Sequence, residues 1–306
     1  MRIVFMGTPD FAVPSLEVLA DEYDIAAVVT QPDQRRGRGQ KYSYSPVKAK
    51  ALEYDLPLLQ PKRIGDGKVI DQLKTLEADL FVVVAFGQIL PARVLNVPRL
   101  GCVNLHASLL PKFRGAAPIN AAITAGETVS GVTTMYMDVE LDAGDIILQA
   151  EEPIRPEDTA GMLHDRLMVL GAGLLKETVR QIDAGTAPRI PQDHSAATYA
   201  PKLTKEDGYL DFARPAVELD RLVRGMNPWP GAHTVVKAES CKVWRSEPRP
   251  EGGSPGRILA LADEGLLVGC GQGSLLLKEL QRPNSKRVSG RDFANGLRLA
   301  VGDLID

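Results

Sequence analysis

The sequence predicts an α/β protein, with an open sheet in the first part of the chain and a small β-barrel after it. Short apolar strands alternate with helical segments over the first 106 residues, which is typical of βαβ units. After residue 207 the pattern changes to five short strand-like segments, which favours a small barrel. With 306 residues, 44% of them hydrophobic, the chain has enough apolar material for two domains.

The elements of the first part follow from apolar periodicity and from Gly and Pro punctuation. Strands are predicted at residues 3–6, 25–30, 80–85 and 103–106, and helices at 14–19, 46–53 and 67–76. Residues 129–139 and 146–154 then predict a hairpin added to the sheet, and 159–184 a long helix. Ligands are expected beyond the carboxyl ends of the parallel strands.

The second part begins after a segment of small, polar and Pro residues, 186–206, which we interpret as a linker between domains 1–185 and 207–306. A helix is predicted at residues 216–225. The five strand candidates lie near 234–237, 242–245, 257–260, 266–268 and 275–280.

Composition excludes several classes of protein. The apolar runs are much shorter than the ~20 residues that span a bilayer, and the N-terminus has no signal-peptide pattern. The three cysteines form neither a disulfide framework nor a paired metal motif. We therefore expect a cytoplasmic protein with no membrane association. No obligate protein partner is predicted.

A basic segment interrupts an otherwise acidic first part. Residues 1–200 carry a net charge of −5 and residues 201–306 a net charge of +2. Residues 34–50 contain no acid but hold six basic side chains, namely Arg35, Arg36, Arg38, Lys41, Lys48 and Lys50. Such an island suggests a local anionic partner, although a solvated loop explains it equally well.

The turn after the first strand argues against a dinucleotide site. A pyrophosphate-binding turn needs the spacing G-x-G-x-x-G, so that the backbone can approach the ligand closely. Here Gly7 stands alone and Pro9 removes an amide donor. A tight strand-to-helix turn is the better interpretation, and a nucleotide-linked oxidoreductase becomes less favoured.

Two polar residues at the end of the fourth strand could carry chemistry. Strand alternation puts Asn104 and His106 on the same side. An amide can donate to a developing oxyanion, and histidine exchanges protons near neutral pH, which together suit acyl or formyl transfer. From the spacing alone, the simpler interpretation is that both are structural polar residues at a strand end whose hydrogen bonds are made within the protein.

An acidic group and an apolar loop complete the candidates. The acidic group consists of Asp138, Glu140, Asp142 and Asp145, and it could bind a metal ion. Alternatively, Asp142 could orient a histidine, as carboxylates do in catalytic triads. For most of these acids, a role in capping turns is a sufficient explanation. The loop at residues 108–115 contains Pro and two Leu residues and could wall a flat, partly apolar ligand.

Taken together, these segments resemble the methionyl-tRNA formyltransferase family over essentially the whole chain. Wider folate-dependent formyltransferases share the Asn-x-His, Ser-Leu-Leu-Pro and downstream Asp elements. The resemblance to the narrower family rests also on the basic loop, on residues 202–206 (KLTKE) and 227–231 (NPWPG), and on the C-terminal barrel. The other matching segments are residues 5–11 (FMGTPDF), 31–33 (QPD), 37–39 (GRG), 85–91 (AFGQILP), 104–111 (NLHASLLP), 114–115 (RG) and 141–145 (LDAGD).

The resemblance implies a Rossmann-like formyltransferase domain followed by an OB-fold-like domain. The implied reaction moves the formyl group of 10-formyltetrahydrofolate to the α-amino group of methionyl initiator tRNA, giving N-formylmethionyl-tRNA for translation initiation. Asn104, His106 and Asp142 are the implied catalytic residues, and no metal is implied. The implied folate-binding residues are Phe86, Gly87, Gln88, Ile89, Leu90, Ser108, Leu109, Leu110, Pro111 and Asp138, and the implied tRNA-binding residues are Arg35, Arg36, Arg38, Lys41, Lys202, Lys286 and Arg287.

Three other functions remain open at this point. The same folate chemistry could act on an amino-sugar nucleotide or another small amine, although the basic loop and the barrel speak against this. Water could replace the amine, giving a 10-formyltetrahydrofolate hydrolase. A non-catalytic RNA-binding protein is the third alternative, against which the intact Asn104, His106 and Asp142 argue.

Overall fold

The chain forms two compact units. The computed structural model describes residues 1–36 and 41–306, with the backbone alone at residues 34–36, 41 and 42. The N-terminal unit comprises Met1–Gly115, Val129–Pro153 and His164–Ala200, and the C-terminal unit comprises Ala116–Thr128, Ile154–Leu163 and Pro201–Asp306. These units do not follow the predicted domain boundaries at 185 and 206, because two stretches from within residues 1–185 belong to the C-terminal unit.

The described residues contain both strands and helices throughout. The strands are β1 (Arg2–Gly7), β2 (Asp24–Val29), β3 (Gln34–Arg36), β4 (Lys41–Ser43), β5 (Leu58–Leu59), β6 (Leu80–Val84), β7 (Cys102–His106), β8 (Arg114–Gly115), β9 (Val129–Tyr136), β10 (Ile146–Pro153), β11 (Tyr199–Ala200), β12 (Ala232–Val236), β13 (Glu239–Arg249), β14 (Ile258–Ala262), β15 (Gly265–Gly269), β16 (Ser274–Gln281) and β17 (Arg287–Ser289). The helices are α1 (Val13–Ala20), α2 (Pro46–Glu53), α3 (Gly67–Thr75), α4 (Ala92–Leu95), α5 (Pro118–Ala125), α6 (Ala160–Asp183), α7 (Ala216–Gly225) and α8 (Gly290–Leu297).

A seven-stranded sheet organises the N-terminal unit, in the order β10-β9-β7-β6-β1-β2-β5. Strands β5, β2, β1, β6 and β7 run parallel, whereas β9 and β10 are antiparallel additions. The predicted open α/β sheet with an appended hairpin is thus confirmed. Since the chain crosses from β5 to β6 on the other side of β1, the carboxyl ends of β1 and β6 form the switch point at which such sheets bind ligands.

Hydrophobic packing on one face of this sheet shows on which face Asn104 and His106, the polar residues at the end of β7, lie. Val4, Met6, Phe81 and Val83 form a buried cluster with residues of α3 and α4, and Cys102 of β7 belongs to the same cluster. Because side chains alternate along a strand, Asn104 and His106 project to the face that carries Cys102.

The opposite face of β7 is closed by the long helix α6. Leu105 is buried there, and an ideal Cβ built on Gly171 would lie 2.8 Å from Leu105 Cδ2. Glycine therefore allows the helix to approach the strand closely. With that face filled, chemistry at the end of β7 has only the Asn104 face available.

An antiparallel sheet forms most of the C-terminal unit. Its order is β12-β13-β16-β15-β14, with β17 paired to β16, so all five predicted strands are present. Leu219, Leu222 and Val223 of α7 and Phe293 of α8 pack in its core. The separate antiparallel β domain is confirmed, and its description as an OB-fold stays a prediction.

Several elements escaped the sequence patterns because they are short or weakly apolar. Helix α8 has few apolar side chains and begins at an N-cap, where Ser289 accepts the Asp292 N–H. The predicted linker also has more structure than its composition indicates. Its residues Tyr199–Ala200 pair with Arg114–Gly115, and Gln192 and Ala200 are buried in the N-terminal unit.

Among residues 1–36 and 41–306, no helix has both the length and the apolar character needed to cross a membrane.

The buried face of α3 should matter more for stability than the exposed part of α2. Leu73 is fully buried, whereas Leu52 is 51% exposed. We expect Leu73→Ala to lower the free energy of unfolding by about 2–5 kcal/mol, since it leaves a cavity. Leu52→Ala, the matched control, should cost less than about 1 kcal/mol in urea unfolding. Equal losses in the two variants would contradict the packing described.

Candidate active site

The centre of the site is a contact between a histidine and a carboxylate. His106 ends β7 and is 6% exposed, and its Nδ1 lies 3.6 Å from Asp142 Oδ2. Asp142 comes from the turn between β9 and β10, so the structure brings together two residues that are 36 positions apart. The same Oδ2 accepts the Gly115 N–H at 2.8 Å, which fixes the carboxylate.

Both ring nitrogens of His106 face hydrogen-bond acceptors. Nε2 lies 2.9 Å from the Phe113 carbonyl oxygen, on the side of the ring away from Asp142. The ring is therefore flanked on two sides, by the Phe113 carbonyl at Nε2 and by the Asp142 carboxylate at Nδ1.

Asn104 occupies the same face of β7, between Val83 of β6 and Met135 of β9. It is half-buried, and among the residues that the structure describes its amide has no hydrogen-bond partner. Such an amide is available to donate to a ligand oxygen. The structure thus keeps the predicted Asn104 and His106 on one face.

The Asp142 turn has an uncommon backbone. Asp142 adopts a φ of 51°, in the left-handed region that costs a non-glycine residue about 1 kcal/mol or more. At Gly144 an ideal Cβ would fall 1.9 Å from the Tyr136 carbonyl oxygen, so a side chain cannot be accommodated there. The shape of the turn therefore requires glycine at position 144.

Two residues that the sequence analysis left without a role support this turn. Gln192 Nε2 donates to the carbonyl oxygens of Asp142 at 2.9 Å and Gly144 at 2.8 Å. Its Oε1 accepts from Arg114 Nε at 3.2 Å and Nη2 at 2.7 Å. Sequence reasoning missed both because an arginine in a loop and a glutamine in a linker usually face solvent, yet both are buried.

Cysteine chemistry has no place at this site. Burial raises the pKa of the Cys102 thiol, on the same face as Asn104, to about 12. At neutral pH that thiol is protonated, and a protonated thiol is a poor nucleophile. Among the described residues, no group of three or more His, Cys, Asp or Glu side chains is placed to hold a metal ion.

Comparison with known proteins gives the family. A family described as "Formyl transferase" matches residues 1–179, and one described as "Formyl transferase, C-terminal domain" matches residues 202–298. A protein named methionyl-tRNA formyltransferase from Geobacter sulfurreducens is 48% identical over 303 residues, covering 99% of this chain and 96% of that one. The chain belongs to the methionyl-tRNA formyltransferase family.

Two solved structures share the fold of this family member. A sugar 3N-formyl transferase, WlaRD, whose structure was determined in the presence of dTDP and 5-N-formyl-THF, matches with a TM-score of 0.70 at 21% identity, covering 94% of this chain and 99% of that one. HypX from Aquifex aeolicus in complex with tetrahydrofolic acid matches with a TM-score of 0.64 at 19% identity, covering 98% of this chain. The chain spans about half of HypX, 48% of its length.

Five of the predicted folate-binding residues, 86–90, lie on the segment that follows β6. Phe86 and Leu90 are buried in the hydrophobic cluster of that sheet face, and Gly87 has a φ of 83°. Gln88 accepts the Ile64 N–H and donates to the Pro61 carbonyl, so its side chain joins loops. Ile89 is 81% exposed, which leaves it and the backbone as the groups able to meet a ligand.

The remaining predicted folate-binding residues lie on the loop after β7. Ser108 is buried and donates to the Lys112 carbonyl, and Leu110 packs with Met135 and Ile146. Leu109 and Pro111 are half-buried, with a cis peptide bond before Pro111, and Asp138 is exposed in the Asp142 turn. The loop backbone is held on this face because Thr133 Oγ1 donates to the Ser108 carbonyl and accepts the Leu110 N–H.

The predicted tRNA-binding residues divide into two groups. Arg38 lies outside the described residues, as do the side chains of Arg35, Arg36 and Lys41. At the base of their loop, hydrogen bonds from Lys48 and Gln60 hold the pKa of Asp33 below its usual range. In the C-terminal unit, the predicted residues are all exposed, namely Lys202, Lys286 and Arg287.

The close fit at the Asp142 turn gives a test of its shape. Gly144→Ala should lower the free energy of unfolding by about 1–3 kcal/mol, because the new Cβ meets the Tyr136 carbonyl. Gly173→Ala is the matched control, since Gly173 is an exposed position of α6 with open space around its Cβ. That change should raise the unfolding free energy by about 0.5–1 kcal/mol in urea titrations. A neutral Gly144→Ala would show that the turn has room.

Proposed function

We propose that this protein transfers the formyl group of 10-formyltetrahydrofolate to the α-amino group of methionyl initiator tRNA. The observation that carries the proposal is 48% identity, over nearly the full length of both chains, to a protein named methionyl-tRNA formyltransferase. Both family regions are present, including the C-terminal one. The product, N-formylmethionyl-tRNA, serves translation initiation, and we propose that the protein acts in the cytoplasm.

The residues around β7 fit a folate co-substrate. A formyl-bearing folate is a flat ring system that needs an apolar surface beside it and polar groups at its edge. Ile89, Val139 and Leu141 are large apolar side chains with exposures of 81%, 67% and 54%. Ile89 lies in the predicted folate-binding segment 86–90, and Val139 and Leu141 follow the predicted folate-binding residue Asp138. The backbones of residues 86–90 and 108–111 would supply the polar groups.

We assign the role of oxyanion donor to Asn104. During transfer a bond forms between the acceptor nitrogen and the formyl carbon, while the bond from that carbon to the folate nitrogen breaks. Negative charge grows on the formyl oxygen, and a fixed amide donor near it lowers the barrier. The unpartnered amide of Asn104 supports this role, because donating to a ligand breaks no bond within the described protein.

His106 and Asp142 would manage charge and protons. The acceptor amine must lose a proton as it attacks, and the folate nitrogen must gain one as it leaves. Asp142 is 3.6 Å from His106 Nδ1, so its carboxylate opposes positive charge that develops on the ring while a proton passes from the acceptor amine to the leaving folate nitrogen. The buried position of His106 strengthens this electrostatic interaction, since little water screens it.

Two basic regions would bind the tRNA. The loop with Arg35, Arg36, Arg38 and Lys41 can engage phosphates near the acceptor end. In the C-terminal unit, which we propose to be an OB-fold-like domain, the Arg287 guanidinium lies 3.7 Å from the centre of the Trp244 ring, and Arg287 is exposed. Lys286 beside it and Lys202 are exposed and available to the RNA backbone.

The acceptor decides between this proposal and its alternatives. With 10-formyltetrahydrofolate as donor, we expect rapid formylation of methionyl initiator tRNA and poor reaction with free methionine or an amino-sugar nucleotide. The measurement is transfer of labelled formyl group to each acceptor. Equal activity on the amino-sugar nucleotide would show that the protein is a sugar formyltransferase instead. Release of formate in the absence of an acceptor would show that it is a hydrolase.

The carboxylate of Asp142 can be tested with a neutral replacement. Asp142→Asn should lower kcat by about 10²–10⁴-fold with the fold intact, since the variant loses the charge that faces the imidazolium. Asp145→Asn, a control in the same turn, removes a carboxylate that pairs with Arg189 at 3.5 Å and should change kcat by less than about threefold. Near-normal turnover of Asp142→Asn would remove this residue from the mechanism.

A further inference from the structure

Gln192 is held so that its amide group spans the Asp142 turn. The side chain is buried, and its Nε2 donates to the carbonyl oxygens of Asp142 and Gly144 at 2.9 and 2.8 Å. Both protons of the amide are used on the two ends of the same three-residue turn. These hydrogen bonds restrain the backbone that carries the Asp142 side chain.

Arg114 determines which way that amide points. A guanidinium group has donors only, so the group facing it must be an acceptor. Arg114 Nε and Nη2 both donate to Gln192 Oε1, at 3.2 and 2.7 Å. The oxygen of Gln192 is thereby turned to Arg114, and its NH2 group to the turn. An exchanged orientation would place donors against donors and carbonyl oxygens against an amide oxygen.

The neighbours of Arg114 in the chain contact the His106–Asp142 pair directly. The Phe113 carbonyl lies 2.9 Å from His106 Nε2, and the Gly115 N–H donates to Asp142 Oδ2 at 2.8 Å. Anchoring Arg114 therefore fixes the backbone on both sides of the pair. The buried side chain of Arg114 therefore links the backbone group that contacts His106 to the backbone group that holds Asp142.

The burial of Arg114 indicates a role beyond filling space. Its side chain is 1% exposed, and its other close partners are His194 Nδ1 at 3.4 Å from Nη2 and the exposed Glu140 at 4.0 Å from Nη1. Burying a cation costs several kcal/mol unless its partners compensate, and an apolar side chain would pack at lower cost. What the cation provides is a fixed direction for the Gln192 amide.

We propose that Arg114 and Gln192 are positioning residues, which hold the Asp142–Gly144 turn so that the Asp142 carboxylate stays against His106 during formyl transfer. This inference rests on the proposed function for its kinetic effect, and on the described contacts alone for its structural effect. Neither residue touches the reacting groups, so both act through Asp142.

Gln192→Glu separates orientation from packing. The new carboxylate keeps acceptors for Arg114 but loses both donors to the turn. We expect kcat to fall about 10–100-fold, the effect of small misplacements in active sites, with KM for both substrates changed less than about threefold. Gln192→Met, which removes both sets of hydrogen bonds and keeps the apolar bulk, should show the same loss if Gln192→Glu fails to fold.

Thr178→Val is the control for lost stability. Thr178 is a buried residue of α6 whose hydroxyl bonds the Thr134 hydroxyl at 2.7 Å, away from the Asp142 turn contacts. It should lose stability on the scale of one buried hydrogen bond, with kcat within about twofold of the unchanged protein. A role of Gln192 in stability alone predicts that the two variants lose activity equally.

A double-mutant cycle shows whether Gln192 acts through Asp142. In the Asp142→Asn background, Gln192→Glu should lower single-turnover formylation by less than about twofold, because no charge is left to position. Losses that multiply, or wild-type kcat in Gln192→Glu, would overturn the positioning role.

Histidine NMR gives a readout that does not depend on activity. The chain has four histidines, and the ring 15N signals of His106 can be assigned by its replacement. These signals should move in Gln192→Glu toward their positions in Asp142→Asn and stay unchanged in Thr178→Val. If the His106 signals move in this way but the protein formylates no acceptor, the proposed function is wrong and the positioning role of Gln192 is supported. If the His106 signals do not move in Gln192→Glu, the positioning role is wrong, whatever the enzymatic activity.

Discussion

The structure of the site depends on keeping a carboxylate beside a histidine at the end of β7. Asp142 lies 3.6 Å from His106, and the chain holds each partner by separate backbone contacts, Gly115 to the carboxylate and Phe113 to the ring. The turn that carries Asp142 is an unfavourable backbone conformation, which persists only where surrounding contacts determine it. Much of the nearby structure serves that requirement.

The sheet determines which face can be used. Parallel strands buried on both faces bring their carboxyl ends to one edge, and α6 closes the Leu105 side of β7. The opposite side keeps Asn104 and His106 beside the loop at residues 108–115. The antiparallel strands β9 and β10 contribute Thr133, which fixes that loop, and the turn that carries Asp142. The appended hairpin is thus as important to the site as the parallel strands.

The family relationship and the local chemistry address different questions. The full-length match places the chain among the methionyl-tRNA formyltransferases, while the two solved structures at 19% and 21% identity establish the fold. Neither comparison shows which hydrogen bonds hold the catalytic groups in place. That information comes from contacts such as the amide of Gln192 against two carbonyls, since hydrogen-bond donors and acceptors constrain orientation in a way that residue identity does not.

From the amino acids alone, one could obtain the elements with strong periodicity, such as β6 and α6, and the pairing of Asn104 with His106 on one side of a strand. Local patterns suffice there, because the period of a strand or helix is set by neighbouring residues. Helix α8, the packed segment after α6, and the burial of Arg114 and Gln192 were decided only in three dimensions. Arg114 and Gln192 lie 78 positions apart, and no local pattern records a contact over that separation.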